Sequence, residues 1–340
     1  MTRQGRLALA LAGTGAAALL AARQAFRNRH AISFEGRVVV ITGGSRGLGL
    51  VLARQLVAEG AKVCLLARDP EELERARDQF PAEADVMTLR CDIRRRADVR
   101  YAMNRLLDKW AAVDVLINNA GVIQVGPLEH MTEEDFENAM ATHFWGPLHL
   151  MYECVPSMRR RGFGRIVNVT SIGGRIAVPH LAPYSASKFA LVGLSDSVRS
   201  ELQQYGIRVT TVTPGLMRTG SPLNAEFKGQ HEREYTWFAI SDSMPGITIS
   251  AERAARRIID ACRYGDPELT ITWPAKLAIR LNHVAPRLTA HLLTLANETL
   301  PGPAGNEGDR LKRGRQSETK WTDSFATVLT QRAAVANNEL

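Results

Sequence analysis

Short apolar runs alternate along this chain with longer segments in which apolar residues recur every three or four positions. The runs are rich in valine, isoleucine and leucine, as strands buried on both faces of a sheet require. They occupy residues 37–41, 61–67, 85–90, 113–117, 165–170, 207–212 and 268–272, and the helical periodicity covers residues 48–58, 95–110, 189–202 and 251–264. In a chain of 340 residues, this alternation predicts an α/β fold, built as one large domain with appendages or as two small domains.

The composition supports a folded core and excludes several classes of function. Apolar residues make up 45% of the chain, which excludes disorder of the whole. The net charge of +8 belongs to the flanks, because residues 34–273 sum to zero, and a neutral centre argues against nucleic acid as the main partner. The four cysteines form no Cys-x-x-Cys pair, so we expect reduced core thiols and neither a disulfide framework nor a metal site. They are Cys64, Cys91, Cys154 and Cys262.

A glycine-rich turn follows the first predicted strand and leads at once into a helical run. It reads Thr42-Gly43-Gly44-Ser45-Arg46-Gly47-Leu48-Gly49. Such a turn needs residues without a Cβ, and the amino terminus of the helix offers free N–H groups and the positive end of its dipole to a pyrophosphate. The order of strand, glycine turn and helix therefore predicts a dinucleotide-binding site here.

The end of the second strand indicates which dinucleotide fits. An acidic residue there would bind a free ribose 2′-hydroxyl, whereas this chain has Ala67 followed by Arg68, with Arg46 in the glycine turn. Two guanidinium groups near the adenosine ribose favour NADP(H) over NAD(H). The alternative is that Arg68 forms an ion pair with Asp69 or with the two glutamates of the next helix.

Two further strand ends carry residues suited to a nucleotide. Asp92 follows the third strand, and its carboxylate could accept a hydrogen bond from an adenine amino group. Asn118-Asn119-Ala120-Gly121 follows the fourth strand, where small residues and turn-forming amides let the backbone approach a ligand closely. An ordinary turn has the same composition, so this motif alone leaves both interpretations open.

A tyrosine and a lysine four residues apart precede the helical run 189–202. Tyr184 and Lys188 would share one face of a helix, and a nearby lysine cation stabilises a phenolate and lowers the pKa of the phenol. Such a pair can exchange protons with an alcohol or a carbonyl. Ser171 closes the run 165–170, so we expect its hydroxyl at the carboxyl end of a buried strand, where open α/β sheets bind ligands. In isolation, the Tyr-x-x-x-Lys spacing also arises by chance.

Together these motifs resemble those of the short-chain dehydrogenase/reductase family, in order and in spacing. The resemblance covers about residues 36–273 and rests on Thr42-Gly43-x-x-x-Gly47-x-Gly49, Asn118-Asn119-Ala120-Gly121, Ser171, Tyr184-x-x-x-Lys188 and Pro214-Gly215. It implies a single domain on a doubly wound, Rossmann-type sheet of seven parallel strands that binds a nicotinamide cofactor. The run around Tyr184 is especially similar to the branch of the family that acts on steroids, retinoids and similar lipophilic alcohols.

The resemblance also implies a role for each motif residue. Tyr184 would be the catalytic acid/base, Ser171 would orient the substrate oxygen, and Lys188 would hold the nicotinamide ribose while lowering the tyrosine pKa. It also implies that Tyr184 contacts the cofactor. The further cofactor contacts that it implies are Asn118 under the adenosine ribose, Ala120, Gly121, Pro214, Gly215, and Thr219 beside the nicotinamide amide.

One position departs from the family pattern. The family's helix usually carries an asparagine that helps to seat a proton-passing water, and this chain has His143 in that place. Histidine can join a proton relay because it gains or loses a proton near pH 7. Its bulk could equally displace the water, so that His143 merely packs the helix, and both interpretations stay open.

Three segments outside the sheet core carry further patterns. Residues 216–246 hold several aromatics, and in the family this lid covers the substrate, so they either line a bulky apolar ligand or pin the lid to the domain. Residues 274–300 form a basic amphipathic helical extension, broken by Pro286, which we expect to pack on the lid or on a second subunit of a homo-oligomer, with an anionic bilayer as the alternative. Residues 301–340 are expected to be a linker and a loosely held tail.

The amino-terminal flank, residues 1–32, contains a stretch without charge. Residues 7–22 lie between arginines and are shorter than the roughly 20 residues that a membrane-spanning helix needs. Because nicotinamide cofactors are reduced in the cytoplasm, export is disfavoured. We therefore expect an anchor at the cytoplasmic face of a membrane, with a soluble cytoplasmic helix as the alternative.

These observations converge on a catalytic domain over residues 33–273. The function they indicate is hydride transfer between NADP(H) and a lipophilic alcohol or ketone. Reduction of a 3-oxoacyl thioester is the alternative within enzymes. A non-catalytic, NADP-binding redox sensor is the alternative of another class, and only His143 favours it.

Overall fold

The computed structural model describes residues 22, 24–25, 27–319, 322 and 327–339. The described strands are β1 (Val38–Thr42), β2 (Lys62–Ala67), β3 (Val86–Arg90), β4 (Val115–Asn118), β5 (Gln124–Val125), β6 (Gly164–Val169), β7 (Ile207–Thr213), β8 (Met217–Arg218), β9 (Glu226–Phe227), β10 (Ile249–Ser250), β11 (Glu268–Thr270) and β12 (Lys312–Arg313). Seven of them form one parallel sheet in the order β11-β7-β6-β4-β1-β2-β3. The predicted seven-stranded, doubly wound sheet is thereby confirmed.

Helices cover both faces of this sheet. They are α1 (Gly47–Ala58), α2 (Pro70–Arg77), α3 (Arg96–Trp110), α4 (Glu133–Met140), α5 (Gly146–Arg161), α6 (Ala182–Leu202), α7 (Ser221–Asn224), α8 (His231–Ser243), α9 (Ala251–Tyr264), α10 (Trp273–Val284), α11 (Pro286–Asn297) and α12 (Val328–Ala336). One core joins the strands to α1, α2 and α9, and a second core joins them to α3, α5 and α6. Central strands such as β1 are buried along their whole length, which explains why they read as continuous apolar runs.

The lid between β7 and α9 has a core of its own. It contains Phe227 of β9, Tyr235 and Phe238 of α8, and Ala334 of α12. A small sheet, in the order β12-β9-β5, ties the segment after α11 back onto this lid. The segment from residue 301 onward was expected to be loosely held, and instead its described part packs on the lid, because β12 and α12 supply backbone and apolar contacts.

The helical extension consists of two helices, since Pro286 ends α10 and begins α11. Their apolar side chains remain exposed rather than packed on the lid, and the most exposed are Trp273, Leu277, Val284, Leu288, Leu292 and Leu295. The expectation that this stripe covers the enzyme's own lid is therefore wrong. Packing on a second subunit or on a bilayer stays a prediction.

Several other expectations concern the cysteines, metal binding and the membrane. The four cysteines are free and buried, and burial raises the pKa of each thiol to about 12. Within the described ranges, no group of side chains could hold a metal ion and no helix is long and apolar enough to cross a membrane. The predicted anchor at residues 7–22 lies almost wholly outside the described residues.

The described chain enters the domain at the amino edge of the sheet. The Arg27 guanidinium donates two hydrogen bonds of 2.8 Å to the carboxylate of Asp266, just before β11, and stacks 4.4 Å from the ring centre of Tyr264. The carbonyl of His30 accepts a hydrogen bond of 2.8 Å from Arg165 at the start of β6. These contacts fix residues 27–30 on the side of the sheet opposite to the carboxyl ends of its strands.

Candidate active site

The carboxyl ends of six neighbouring strands open into one cavity of about 830 Å³. Most of the residues predicted for the site line it: Gly43, Ser45, Arg46, Gly47, Leu48, Arg68, Asp92, Ala120, Gly121, Ser171, Tyr184, Lys188, Pro214, Gly215 and Thr219. Four other predicted residues are buried and do not line it: Thr42, Gly49, Asn118 and His143. The cavity lies where an open α/β sheet binds its ligand.

The glycine turn is shaped by close backbone approach. Gly43 and Gly47 have φ angles of 63° and 55°, which disfavour any residue with a Cβ. A Cβ on Gly43 would lie 2.9 Å from the Cα of Ala120, and one on Gly49 would lie 2.1 Å from the carbonyl oxygen of Gly43. The amino terminus of α1 has no side-chain cap, so the turn fits a group that brings its own negative charge, such as a pyrophosphate.

The two asparagines at the end of β4, Asn118 and Asn119, have contacts that differ from the expectation. Asn118 is buried beneath the cavity wall, and its amide donates a hydrogen bond of 2.8 Å to Asn168 of β6. Asn119 lines the cavity instead and donates to the carbonyl of Thr42 at 3.0 Å. The Thr42 hydroxyl accepts from the N–H groups of Asn119 and Ala120. The structure thus gives Asn118 the task of joining strands, and Asn119 lies beside the glycine turn.

The two arginines expected at the adenosine ribose lie in different surroundings. Arg46 forms an ion pair of 2.6 Å with Glu72 and donates to Asn224 at 3.0 Å. Arg68 is exposed at the cavity rim and, within the described part of the chain, makes no hydrogen bond or ion pair. Glu72, one of the two glutamates considered as partners for Arg68, thus pairs with Arg46. The guanidinium N–H donors of Arg68 are available to a ligand.

Asp92 is already engaged by a neighbour. Its carboxylate accepts hydrogen bonds from the guanidinium of Arg94, the shortest of them 2.6 Å. Burial alone would raise the pKa of Asp92, but the hydrogen bonds and charge of Arg94 outweigh burial and lower it. Asp92 lines the cavity, so an adenine contact, as expected from the sequence, would have to share this carboxylate with Arg94.

The three side chains that we expect to be catalytic meet at the end of β6. Ser171 caps the turn after the strand by accepting a hydrogen bond of 3.0 Å from the N–H of Gly173, and it lies close enough to the phenol of Tyr184 to lower the pKa of that phenol. The ammonium of Lys188 donates to the carbonyl of Val169 at 3.0 Å and lies 5.7 Å from the centre of the Tyr184 ring. Serine, tyrosine and lysine therefore share one wall of the cavity, as their order in the sequence predicted.

The pKa values of this group differ from the expectation. Burial raises the pKa of Tyr184 to about 12. Ser171 acts to lower this pKa, and the charge of Asp242 raises it further. Burial also lowers the pKa of Lys188 to about 7. The expectation that Lys188 lowers the tyrosine pKa is therefore not met by the protein groups alone, because both side chains are desolvated and the ammonium points at Val169. Lys188 instead titrates near neutrality, where it can itself exchange a proton.

His143 lies in a π-helical turn, Ala141–Trp145, between α4 and α5. Its Nε2 accepts a hydrogen bond of 3.1 Å from the N–H of Val122, so the proton sits on Nδ1, which donates to Ser187 at 2.7 Å. Burial and then the Lys188 charge lower the pKa of His143 well below its usual value. Both ring nitrogens are thus occupied in a neutral ring. This geometry supports a positioning role, which fixes the loop after β4 against the catalytic helix, over a proton relay.

Substitution of His143 by phenylalanine checks this role, since asparagine would restore the residue that is usual in the family. We expect kcat to fall roughly 5-fold, because a buried hydrogen bond worth about 1 kcal/mol to the Val122 loop is lost. The apparent pKa values of the pH–rate profile should not move, since burial and the Lys188 charge lower the pKa of His143 well below its usual value and disfavour a charged ring. The exposed His283→Phe variant is the control. Disappearance of one limb of the profile would show that His143 carries a proton.

The lid aromatics pack on one another rather than into the cavity. Ring centres lie 5.4 Å apart for Phe227 and Tyr235, and 5.7 Å apart for Trp237 and Phe238. None of these four side chains lines the cavity. Of the two interpretations left open, the structure therefore supports aromatics that pin the lid, and they give no information about the ligand.

An acidic residue that no sequence pattern indicated also lines the cavity. Glu339 is only 4% exposed, and its carboxylate accepts a hydrogen bond from the N–H of Gly220 beside the glycine turn. Burial raises the pKa of Glu339 to about 7, although the bond from Gly220 and the charge of Arg46 act in the opposite direction. Nothing in the polar sequence of residues 322–340 signals this contact, since it joins residues that are 119 positions apart.

Comparison with known proteins agrees with this architecture. A solved short-chain dehydrogenase/reductase from Burkholderia phymatum, in complex with NAD, superposes with a TM-score of 0.69 at 26% identity, over 76% of this chain and 96% of that one. A dehydrogenase/reductase SDR family protein 7-like of Anopheles gambiae is 37% identical over 203 residues, which is 58% of this chain and only 64% of that relative's length. A 3-ketodihydrosphingosine reductase of Bacteroides thetaiotaomicron is 35% identical over 199 residues, 58% of this chain and 71% of that one.

The family assignment follows from a match to more than half of the chain. The sequence profile of the short-chain dehydrogenases matches residues 37–228, the segment that runs from β1 through the catalytic helix α6 to the lid. The glycine turn, the asparagine motif and the Ser171, Tyr184 and Lys188 group all fall inside these bounds. The chain is therefore a member of the short-chain dehydrogenase/reductase family of oxidoreductases.

Proposed function

We propose that this protein is an NADP(H)-dependent oxidoreductase that interconverts a lipophilic alcohol and the corresponding carbonyl compound. The observation that carries the proposal is the placement of Ser171, Tyr184 and Lys188 on one wall of the cavity whose other end is the glycine turn. A site with a proton donor such as Tyr184 and a neutral hydrogen-bond donor such as Ser171, next to a dinucleotide-binding turn, is suited to hydride transfer at the carbon of an alcohol or a carbonyl.

The geometry supports a division of labour among these side chains. When bound, the nicotinamide cofactor would supply or accept the hydride. Ser171 and Tyr184, which both line the cavity, would both contact the substrate oxygen, and Tyr184 would give its proton to that oxygen in the reducing direction. Lys188, with a pKa near 7, would return a proton to the tyrosine. Oxidation of an alcohol uses the same groups in reverse.

The preference for NADP(H) is proposed from the end of β2. Ala67 stands where an acidic residue would bind the 2′-hydroxyl, and the exposed guanidinium of Arg68 has no partner within the described part of the chain. A 2′-phosphate would supply one through charge-assisted hydrogen bonds. The Arg46 guanidinium is held nearby by Glu72, so it would add mainly positive charge.

Substitution of Arg68 by glutamine tests the cofactor assignment. We expect the KM for NADPH to rise roughly 10- to 100-fold while the KM for NADH changes little, because a hydrogen bond to a charged group contributes about 1.5–3 kcal/mol. Adding Arg46→Gln should deepen the loss, and the exposed Arg160→Gln is the matched control. An unaltered enzyme that uses NADH as well as NADPH would refute the assignment.

The lipophilic substrate is proposed from similarity, since the lid aromatics do not line the cavity. The Tyr184 helix resembles the steroid and retinoid branch, and the similar Bacteroides protein is, by its name, a 3-ketodihydrosphingosine reductase. A screen of NADPH consumption over steroid, retinoid, aromatic and acyl ketones tests this point. Turnover of 3-oxoacyl thioesters alone would favour the other reductase function, and cofactor binding without any turnover would favour a redox sensor.

The proposal includes a location and an assembly. We expect residues 7–22 to hold the enzyme at the cytoplasmic face of a membrane, and the exposed face of α10 and α11 to leave room for a second copy. Membrane fractionation of the full chain against a chain lacking residues 1–32 tests the first expectation. Analytical ultracentrifugation tests the second.

A further inference from the structure

We infer that the carboxyl-terminal tip, defined here as residues 337–339, is an autoinhibitory plug that occupies the pyrophosphate end of the cofactor cavity and must withdraw before a dinucleotide binds. This inference rests on the proposed dinucleotide cofactor and adds the regulation of its site. It is drawn from the contacts that the tip makes with the glycine turn and the lid.

The tip uses the same backbone that should receive the pyrophosphate. The N–H of Gly47, the first residue of α1, donates a hydrogen bond of 2.9 Å to the carbonyl of Asn337. The side chain of Asn338 donates to the carbonyls of Ser45 at 2.9 Å and Glu72 at 3.1 Å. An N–H at a helix amino terminus is the ordinary ligand of a phosphate oxygen, so the tip and a dinucleotide compete for it.

Glu339 places a carboxylate where the structure offers an anion site. Its Oε1 would lie only 3.0 Å from a Cβ built on Gly47, so it lies against the turn, and the carboxylate accepts from the N–H of Gly220 in the lid. The positive end of the α1 dipole favours a negative group at this point. Glu339 therefore takes the place of one phosphate group and spans the cavity mouth from turn to lid.

Polar contacts hold the tip, whereas apolar packing holds the helix before it. Asn337, Asn338 and Glu339 are bound through backbone and side-chain hydrogen bonds, including one of 2.7 Å from Arg315 to the carbonyl of Glu339. Ala334 of α12, in contrast, lies in the lid core. The tip can consequently leave while α12 stays docked. Asn338, with a φ of 58°, is a residue type that tolerates this left-handed backbone, which gives the tip a turn at which to swing.

Protonation should tune the strength of the plug. Burial raises the pKa of Glu339 to about 7 and that of Asp242, on the lid helix α8, to about 8. The docked tip thus holds its proton more tightly than a solvated glutamate, so docking is favoured at low pH and weakens as pH rises toward 7, with little further change above that. The other charged groups that contact the tip or act on Glu339 are Arg46, Arg54, Glu72, Arg75 and Arg315.

The test compares cofactor affinity with and without the tip. NADPH titration, followed by protein fluorescence, is performed on the full chain, on a chain lacking residues 337–340, on Glu339→Gln, and on Val335→Ser, whose position is 66% exposed on α12. Removal of the tip should lower the Kd for NADPH roughly 10- to 100-fold, because apparent affinity scales with the undocked fraction. The ratio of the two Kd values should be larger at pH 6 than at pH 8, and Glu339→Gln should flatten this pH dependence.

A second measurement uses the unaltered chain. Saturating NADPH should increase hydrogen exchange in residues 337–339 while α12 keeps its protection. Equal Kd values for the full and shortened chains, or weaker binding by the shortened chain, would overturn the plug and show that the tip is neutral or a cofactor clamp. Failure of every variant to bind NADPH, with intact thermal unfolding, would instead refute the proposed function.

Discussion

Replacement of Tyr184 by phenylalanine should reduce kcat by about 100- to 10,000-fold, the usual contribution of a positioned proton donor. Phenylalanine keeps the ring that packs against the lid core and removes the hydroxyl, which lines the cavity with Ser171. Because burial raises the pKa of this phenol to about 12, we expect the group to hold its proton near neutral pH and to serve as the acid toward a carbonyl. Steady-state NADPH oxidation, with the preferred ketone from the screen, measures the loss.

The control for this substitution is Tyr152→Phe, which removes a phenol that is 55% exposed on α5, away from the cavity lining. Fluorescence titration should give a Kd for NADPH close to that of the unaltered enzyme, since the substitution leaves the residues of the glycine turn unchanged. Retention of most turnover in Tyr184→Phe would mean that another group protonates the substrate.

The second large effect is expected for Gly49→Ala, through the fold of the cofactor site. An added Cβ would lie 2.1 Å from the carbonyl oxygen of Gly43 and 2.7 Å from the side chain of Asn119, distances that force the turn and α1 apart. Overpacking of this kind costs about 1–3 kcal/mol of unfolding free energy. The displaced turn should also weaken NADPH binding beyond detection. Denaturant unfolding and NADPH titration measure the two losses.

A matched glycine in the catalytic helix supplies the control. A Cβ on Gly193 of α6 meets no atom within 4 Å, so Gly193→Ala should stabilise the protein by up to about 1 kcal/mol, because alanine is the better helix former. Cofactor affinity should stay unchanged in that variant. If Gly49→Ala were as stable and as tightly binding as Gly193→Ala, steric crowding at the turn would not explain the glycine.

The sheet and the catalytic group could be predicted because their signals are local. Parallel strands buried on both faces must be apolar along their length, so β1 and its neighbours appeared in the sequence within about two residues of their observed ends. The carboxyl ends of parallel strands meet at one edge, which brought Ser171 and the glycine turn into one cavity. Periodicity therefore sufficed for the framework, whereas the roles of the site residues were implied by the family resemblance.

The remaining features depend on contacts between distant segments. Arg46 pairs with Glu72, but several carboxylates lie nearby in the sequence, and residue spacing does not indicate which of them forms the ion pair. The pKa of Lys188 follows from burial by the whole domain. The role of His143 depended on two partners, Val122 and Ser187, on other elements. The position of Glu339 in the cavity could not be predicted for two reasons. It depends on the fold of the lid, and the tail that carries Glu339 has no sequence pattern of its own.

The attachment of residues 27–30 at the amino edge of the sheet sets how the enzyme would stand on a surface. Strand β6 has six residues and therefore separates that edge from the catalytic wall by about 20 Å. If the segment before Arg27 tethers the domain to a membrane, the amino edge of the sheet faces that membrane. The cavity, at the opposite edge, then opens toward the aqueous side. A ketone dissolved in a bilayer would then have to leave the lipid and travel around the domain, whereas a water-borne nucleotide would arrive unobstructed.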